Sequence, residues 1–308
     1  MSEERITIAI PYHGGRAYLE RALDSALTQS VPPAAIVVSD DSDDADESAR
    51  LAARLSDAGV RHVRADPGHG MGANWNRCLD LAQTELVTLL HADDELLPDY
   101  CMQMQAAAAA APRAAAVFCG ATIIGANGAP RFSFADYVKK WLTPPGEGPI
   151  LLAGESGLRL LLRGNFVMCP TLCWRRSVLA QRRFAPGLRQ VQDLELMCRL
   201  LLEGESLVGA RFVAYAYRRH ETSATALQSE SLLRFEEESA LYEAVAKTAR
   251  ARGWLAAAKT AEARRIIRLH LLFRMGLDLV KLHPGRIPAK LRLLSKERET
   301  PQRRGGKS

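Results

Sequence analysis

The chain lacks the marks of several large protein classes. No run of about 18 apolar residues occurs, so no helix is expected to span a bilayer. No period of 20 to 50 residues recurs, which speaks against a solenoid or propeller. The six cysteines (78, 101, 119, 169, 173 and 198) form no CxxC, and their neighbours are apolar. Buried free thiols are therefore expected rather than a disulfide framework or a zinc site. No GxGxxG follows the first strand, and GxxxxGK(S/T), GxSxG and HExxH are absent. Dehydrogenases of the Rossmann type, P-loop enzymes, elbow-type hydrolases and zincins are disfavoured. No cleavable leader is expected, because Met1–Arg5 runs straight into a strand-like segment, and a cytoplasmic location is the expectation.

What is present is globular composition: 308 residues, 47% hydrophobic and 25% charged. The net charge of +6 is unevenly spread. Residues 261–308 hold 13 Lys/Arg against 4 Asp/Glu, leaving 28 against 31 in 1–260. The excess positive charge belongs to a C-terminal appendage. No nucleic-acid motif accompanies it, so nucleic acid is not expected as a partner.

Along the chain, β-branched apolar runs alternate with helical periodicity. Strands are expected at 5–11, 35–39, 60–64, 85–90 and 114–119, and helices at 15–29, 46–58, 73–83 and 98–111. Residues 127–150, rich in Gly, Pro and aromatics, read as a long loop. A helix at 153–163, a strand region within 166–174, a helix at 192–203, a strand at 206–217 and helices from 228 onward follow. This pattern predicts an α/β fold with a mostly parallel sheet flanked by helices and a helical C-terminal appendage. Ligands of such sheets bind outside the carboxyl ends of the strands.

Four clusters could carry chemistry there. His91-Ala92-Asp93-Asp94 ends an apolar strand; adjacent carboxylates repel unless compensated, and a hard divalent cation would compensate them. The alternative is a solvated turn with a helix-capping Asp, and His91 alone reads better as a neutral histidine than as a ligand. Asp40-Asp41-Ser42-Asp43-Asp44 follows the second strand, with Asp40 the expected inward residue and Asp43 or Asp44 a turn and helix cap. Asp193 stands at a helix start, either as its cap or as a general base. Arg218-Arg219-His220 ends a strand, suited to a diphosphate or else an exposed basic turn. The glycine cluster Gly68–Gly72 is a weak phosphate-loop signal.

In this order the segments resemble the family-two glycosyltransferases of GT-A fold, over about residues 5–225. The resemblance is carried by Ile6–Pro11 with Tyr12, Val38–Asp41, Asn74–Arg77, Leu89–Asp94, Gln192–Glu195 and the Arg218–Ser223 segment. It implies inverting transfer of a sugar from a nucleotide-diphosphate-sugar donor to an acceptor hydroxyl, with Mn2+ or Mg2+ as cofactor. By resemblance, Asp193 is the catalytic base; Asp93 and His220 hold the metal. Pro11, Tyr12, Asp40, Asp41, Asn74, His91, Ala92, Asp94, Arg218 and Arg219 line the donor site. Asn165, Phe166 and Trp174 are acceptor candidates, since aromatic faces stack on sugars. A saccharide or glycolipid acceptor in bacterial surface polysaccharide or lipopolysaccharide synthesis is implied.

The chain departs from the family's pattern in three places: His91 replaces a usual Asp, Gln192 a usual Glu, and Ser42 a usual Gly. A non-catalytic nucleotide-sugar-binding or scaffold protein is the alternative, and a nucleotidyltransferase a further one. The expected division is 1–225 for the transferase (nucleotide half about 1–120, acceptor half about 121–225), 226–296 helical and 297–308 a disordered basic tail. Residues 262–282, apolar with interspersed Arg, are expected either to lie on an anionic membrane or to pack on the core with a solvated basic face.

Overall fold

Isoleucines at 6, 8 and 10 alternate with Thr7 and Ala9, and this period-two pattern forms β1 (Ile6–Tyr12) with both faces covered. A computed structural model describes residues 5–65, 70–220, 232–280 and 283–296. Around β1 lie β2 (Ala35–Asp40), β3 (Arg61–Arg64) and β4 (Leu86–Leu89), all mutually parallel. β5 (Glu95–Leu96), β6 (Ala116–Ile124), β7 (Ile150–Ala153), β8 (Leu172–Arg175) and β9 (Ser206–Arg218) complete the sheet. The path is β3-β2-β1-β4-β8-β6-β9-β5, with β7 on β9. β8 enters antiparallel between β4 and β6, so β4 and β6 point the same way, and β9 runs parallel to β6. The carboxyl ends of β1, β2, β4, β6 and β9 therefore share one edge.

Helices cover both faces. α1 (Arg16–Leu27), α2 (Ala45–Asp57) and α4 (Tyr100–Ala110) enclose one core with Ile6, Ile8 and Ile10. α3 (Met71–Leu81), α6 (Gly154–Arg163) and α8 (Gln192–Leu202) enclose the other with Val87 and Trp174. α7 (Arg176–Leu179) is one short turn. The C-terminal helices α9 (Leu233–Ala251), α10 (Leu255–Ala263) and α11 (Arg265–Val280) place Phe235, Tyr242, Ala257, Ile267 and Leu271 in this second core. α12 (Ile287–Lys296) packs on α11. The basic tail 297–308 lies outside the described residues.

One element corrects the sequence reading. The stretch 127–150 is not a continuous loop: α5 (Phe134–Leu142) forms within it, its N-terminus capped by Ser133, whose Oγ accepts from Asp136 N. The cysteines agree with the reading. All six are free, five of them buried.

Candidate active site

The shared edge of carboxyl ends gathers four segments. β1 ends in Tyr12-His13, β2 in Asp40-Asp41, β4 in His91–Asp94 and β9 in Arg218–His220. Gly15, at φ +86, ends the first loop in a conformation that favours glycine. It starts α1 so that Tyr18 reaches the other side of the crevice, its ring 4.7 Å from that of His220.

At the end of β2 the two aspartates divide their work. Asp40 is fully buried and accepts from Ser42 N (2.9 Å), Ser48 Oγ (2.6 Å) and His62 Nε2 (2.9 Å). Burial alone would raise its pKa, but the hydrogen bonds from Ser42, Ser48 and His62 outweigh it and hold the carboxyl below its ordinary value. Asp40 is thus a strut of the turn, not the ligand-facing residue the sequence suggested. Asp41 beside it is also buried, at 4% exposure. It accepts from Asn74 Nδ2 (3.0 Å) and lies 3.3 Å from His13 Nδ1, with burial pushing its pKa up. Asn74 also donates to the carbonyls of Tyr12 and Ser39, tying α3 to the ends of β1 and β2. Tyr12 is itself buried, its hydroxyl donating to Glu47, so it offers a ligand no face; Pro11 is half-buried in the β1–β2 ladder. Asp44, as expected, caps α2.

At the end of β4, Asp94 is buried, accepting from Tyr215 Oη (3.0 Å) and Arg218 N (2.7 Å). Burial, then the neighbouring Asp93 charge, raise its pKa well above the carboxylate range despite these bonds. Both oxygens are committed inside the protein, which corrects the expectation that Asp94 lines the donor site. Arg218 is likewise internal: its guanidinium donates to the carbonyls of Asp93, Gly125 and Ala126 and pairs with Glu95. It braces the β4 turn and has no donor left exposed for a diphosphate, as its 1% exposure shows.

The neighbours of these two residues face the crevice. Asp93 is partly exposed and 2.9 Å from His220 Nε2. His91 stacks on Trp75 at 5.2 Å, its Nδ1 is 4.0 Å from Asp94, and its buried Nε2 has no partner in the protein. Burial holds His91 below the usual histidine range, opposed by the Asp93 and Asp193 charges, so it is neutral and able to ligate. His91, Asp93 and Asp94 bring ligand atoms within 4.8 Å of one another. Of these three, Asp94 is already engaged by Tyr215 and Arg218 N, while Asp93 and the orphaned nitrogen of His91 remain available to a cation, with His220 next to Asp93. Ala92 is half-buried between them.

Asp193 completes the edge. It is not the helix cap; Val191 occupies that position without a side-chain bond, and Asp193 is the second residue of α8. Among the described residues its carboxylate makes no hydrogen bond or ion pair, while its charge acts on His91, Lys139 and Cys169. Gln192 is buried with its Nε2 unpartnered, as is Oδ1 of half-buried Asn165. Buried polar atoms without partners are uncommon in a folded core, and Gln192 adjoins Asp193.

The other acceptor candidates fail. Trp174 is wholly buried on β8, edge-on to Phe184, and Phe166 packs against Phe118 in the same core, so neither has a face for a sugar. Sequence reasoning missed α5. Its Asp136 binds the Arg219 guanidinium through both oxygens (2.7 and 3.0 Å), and Lys139, one turn on, is half-buried. Burial and the Arg234 charge lower the Lys139 pKa, opposed by Asp136 and Asp193. Residues 221–223 and 68–69 lie outside the described residues.

Carboxylates and imidazoles thus meet outside the carboxyl ends of the strands of an α/β sheet, where such sheets bind their ligands. Residues 7–182 match the family described as "Glycosyl transferase family 2", and the chain belongs to it. The match ends before Asp193 and Arg218–His220, so those rest on geometry. Over 93 residues the chain is 40% identical to MT1568 of Mycobacterium tuberculosis (strain CDC 1551 / Oshkosh), spanning 30% of this chain and 29% of that protein. Among solved structures it is similar to S. aureus TarS 1–349 in complex with UDP-GlcNAc. There the TM-score is 0.64 at 16% identity, covering 95% of this chain and 80% of that one. With the longer S. aureus TarS structure the TM-score is 0.55 at 15% identity, covering 77% and 39%. These likenesses agree with the GT-A fold.

Proposed function

We propose that the protein is an inverting glycosyltransferase taking a nucleotide-diphosphate-sugar donor, with Asp193 as the base. The observation that carries this is an unpartnered carboxylate at a helix start, electrically coupled to His91, on the strand-end edge of a family-two chain. Asp193 would accept the acceptor hydroxyl's proton as that oxygen attacks the anomeric carbon from the face opposite the leaving diphosphate. One carboxylate suffices, because inversion needs no covalent intermediate. Asp41, fixed by Asn74, would accept hydrogen bonds from the nucleoside. Arg219, held by Asp136, and Tyr18 would bound the diphosphate side. Asp93, His220 and His91 would hold Mn2+ or Mg2+, whose charge would offset the negative charge growing on the leaving group.

A nucleotide-binding neighbour supports the donor class: TarS was solved with UDP-GlcNAc and with UDP. The acceptor is read as a saccharide or glycolipid of the bacterial surface, and the place as the cytoplasmic side of a membrane. No helix among the described residues is long and apolar enough to cross one.

Asp193→Asn tests the base. Transfer should fall by at least about 100-fold while thermal stabilisation by nucleotide persists. Near-normal turnover in a variant that still binds nucleotide would remove Asp193 from the chemistry. The non-catalytic reading draws on His91 and on the commitment of Asp94; purified protein that binds nucleotide sugar with Mn2+ yet neither hydrolyses nor transfers it would favour that reading.

A further inference from the structure

α11 is apolar on two opposite sides. Inward, Ile267, Leu271 and Met275 enter the core. Outward, Leu269, Leu272, Gly276 and Leu279 recur at helical spacing, flanked by Phe273 and Val280. Leu279 is 60% and Val280 81% exposed. The helix was expected either to lie on an anionic membrane or to pack on the core with a solvated basic face; it packs on the core, and among the described residues its outer face is an uncovered apolar stripe. It does not stop at the helix. Phe273 stacks on Phe134 of α5 at 5.3 Å, and α5 with its preceding loop adds Phe132, Tyr137 and Trp141, the last 83% exposed. A patch of this kind on a folded chain marks a contact surface.

The charge beside it identifies the partner. At the head of the same stripe stands Arg265, which with Arg159, Arg163 and Lys259 lines a cavity of about 350 Å3 between α6, α10 and α11. The cavity wall carries no acidic residue, and among the described residues none of these four cations has an ion pair. Arg131 and Lys140 are exposed on the α5 side. The two longest undescribed segments, 221–231 and 297–308, are polar, with Leu227 their one large apolar residue.

We propose that the four-cation cavity, the outward stripe of α11 and the aromatic side of α5 form one docking surface for an anionic phospholipid bilayer. Lipid phosphates sit among the cations, and Leu272, Leu279 and Trp141 enter the boundary of the acyl region. α5 then faces two ways. Its inner side holds Arg219 through Asp136, beside the crevice, and its outer side meets lipid. The bilayer lies against the crevice at α5, and a membrane-borne acceptor would arrive along that helix. This last step rests on the transferase reading; the docking itself does not.

The test uses the full chain and vesicles of phosphatidylcholine alone or with one-third phosphatidylglycerol. The wild type should float with the anionic vesicles and not with the neutral ones. Arg163→Gln, Lys259→Gln and Arg265→Gln together should lower that partition by on the order of 100-fold, at about fivefold per charge near the surface. Leu272→Ser with Leu279→Ser should lower it at least tenfold. Brominated lipid should quench tryptophan emission in the wild type and much less in Trp141→Phe, which a purely electrostatic contact far from α5 would not produce. Nucleotide-induced thermal stabilisation should be unchanged in every variant, separating failure of docking from failure of the fold or of the transferase reading.

Three results would overturn the proposal. The first is a wild type that does not bind anionic vesicles. The second is full competition of the vesicles by inorganic phosphate at equal charge, which would make the cavity a free-anion site. The third is a concentration-dependent dimer abolished by the leucine substitutions, which would mean that a second copy covers the stripe.

Discussion

Two aspartate pairs follow β2 and β4, the strands on either side of β1, and they are handled in opposite ways. In Asp40-Asp41 the first residue is buried under three donors and held ionised, and the second, also buried, is held by Asn74. In Asp93-Asp94 the first faces the crevice and the second is buried, with only Tyr215 and Arg218 N as donors and a like charge beside it, which favours its neutral form. Burial raises the pKa of both inner carboxyls; at Asp40 three donors outweigh it, whereas at Asp94 two donors do not outweigh burial and the like charge of Asp93. Each turn thus uses one carboxyl to fix the backbone and leaves the other with fewer partners, and which member does which cannot be told from the dipeptide.

The sharpest way to break this comparison is at the presented residue of the β4 turn. Asp93→Asn removes the carboxylate beside His220. Transfer should fall about 1,000-fold, the size expected when several kcal/mol of charge stabilisation is lost. Nucleotide-sugar turnover across a Mn2+ titration measures it. Retention of metal-dependent rate would move the metal-holding role elsewhere. At the strut of the β2 turn the effect is on stability instead. Asp40→Asn leaves three donors facing a group that can accept fewer of them, and should cost about 3 kcal/mol, read from urea unfolding. The sign of its pH dependence follows from the lowered pKa. Wild-type Asp40 contributes stability above its unfolded value, near 4, and loses it as pH falls through the folded value. The deficit of the variant should therefore be largest at neutral pH and shrink in acid.

Much of the architecture was legible because β-branched runs and helical periods repeat regularly, and because parallel strands bring their carboxyl ends to one edge. Asp93 and His220 stood out by position at strand ends and Asp193 at a helix start, whereas Asn74 came only from the resemblance. Arg218 was misread because its partners are the carbonyls of Gly125 and Ala126 and the carboxylate of Glu95, which a one-dimensional pattern cannot bring together. Trp174 and Phe166 were misread because an aromatic in a short apolar run serves a core as readily as a sugar platform. α5 was hidden by flanking Gly and Pro and by aromatics on its outer face, so its inner pair, Asp136 and Lys139, carried no recognisable spacing.

A smaller effect concerns the cation. Mg2+ keeps almost wholly to oxygen ligands, whereas an imidazole set tolerates Mn2+ better. With His91 and His220 beside Asp93, activity should prefer Mn2+, and His91→Asp should shift the Mn2+ to Mg2+ preference toward Mg2+ by about tenfold. An unchanged ratio, measured by titrating each ion against the purified variant, would show that the unpartnered nitrogen of His91 does not ligate.

The smallest expected effect tests the comparison most directly. Asp94→Asn replaces a carboxyl favoured in its neutral form by a neutral group of the same shape. Its oxygen can still accept from Arg218 N, and the Tyr215 hydroxyl can turn to accept from the new amide. The stability change should be under about 1 kcal/mol and turnover should stay within about threefold. The pH dependence should run against that of Asp40→Asn. A raised folded-state pKa gives stability that is complete below the unfolded value and is lost as pH climbs toward the folded one, so the variant should gain on the wild type as pH rises from about 4. Parallel urea titrations of the two variants from acid to neutral pH should give deficits that diverge in opposite directions. If both deficits grow with pH alike, Asp94 is an ionised strut like Asp40, and the two turns are built on one plan.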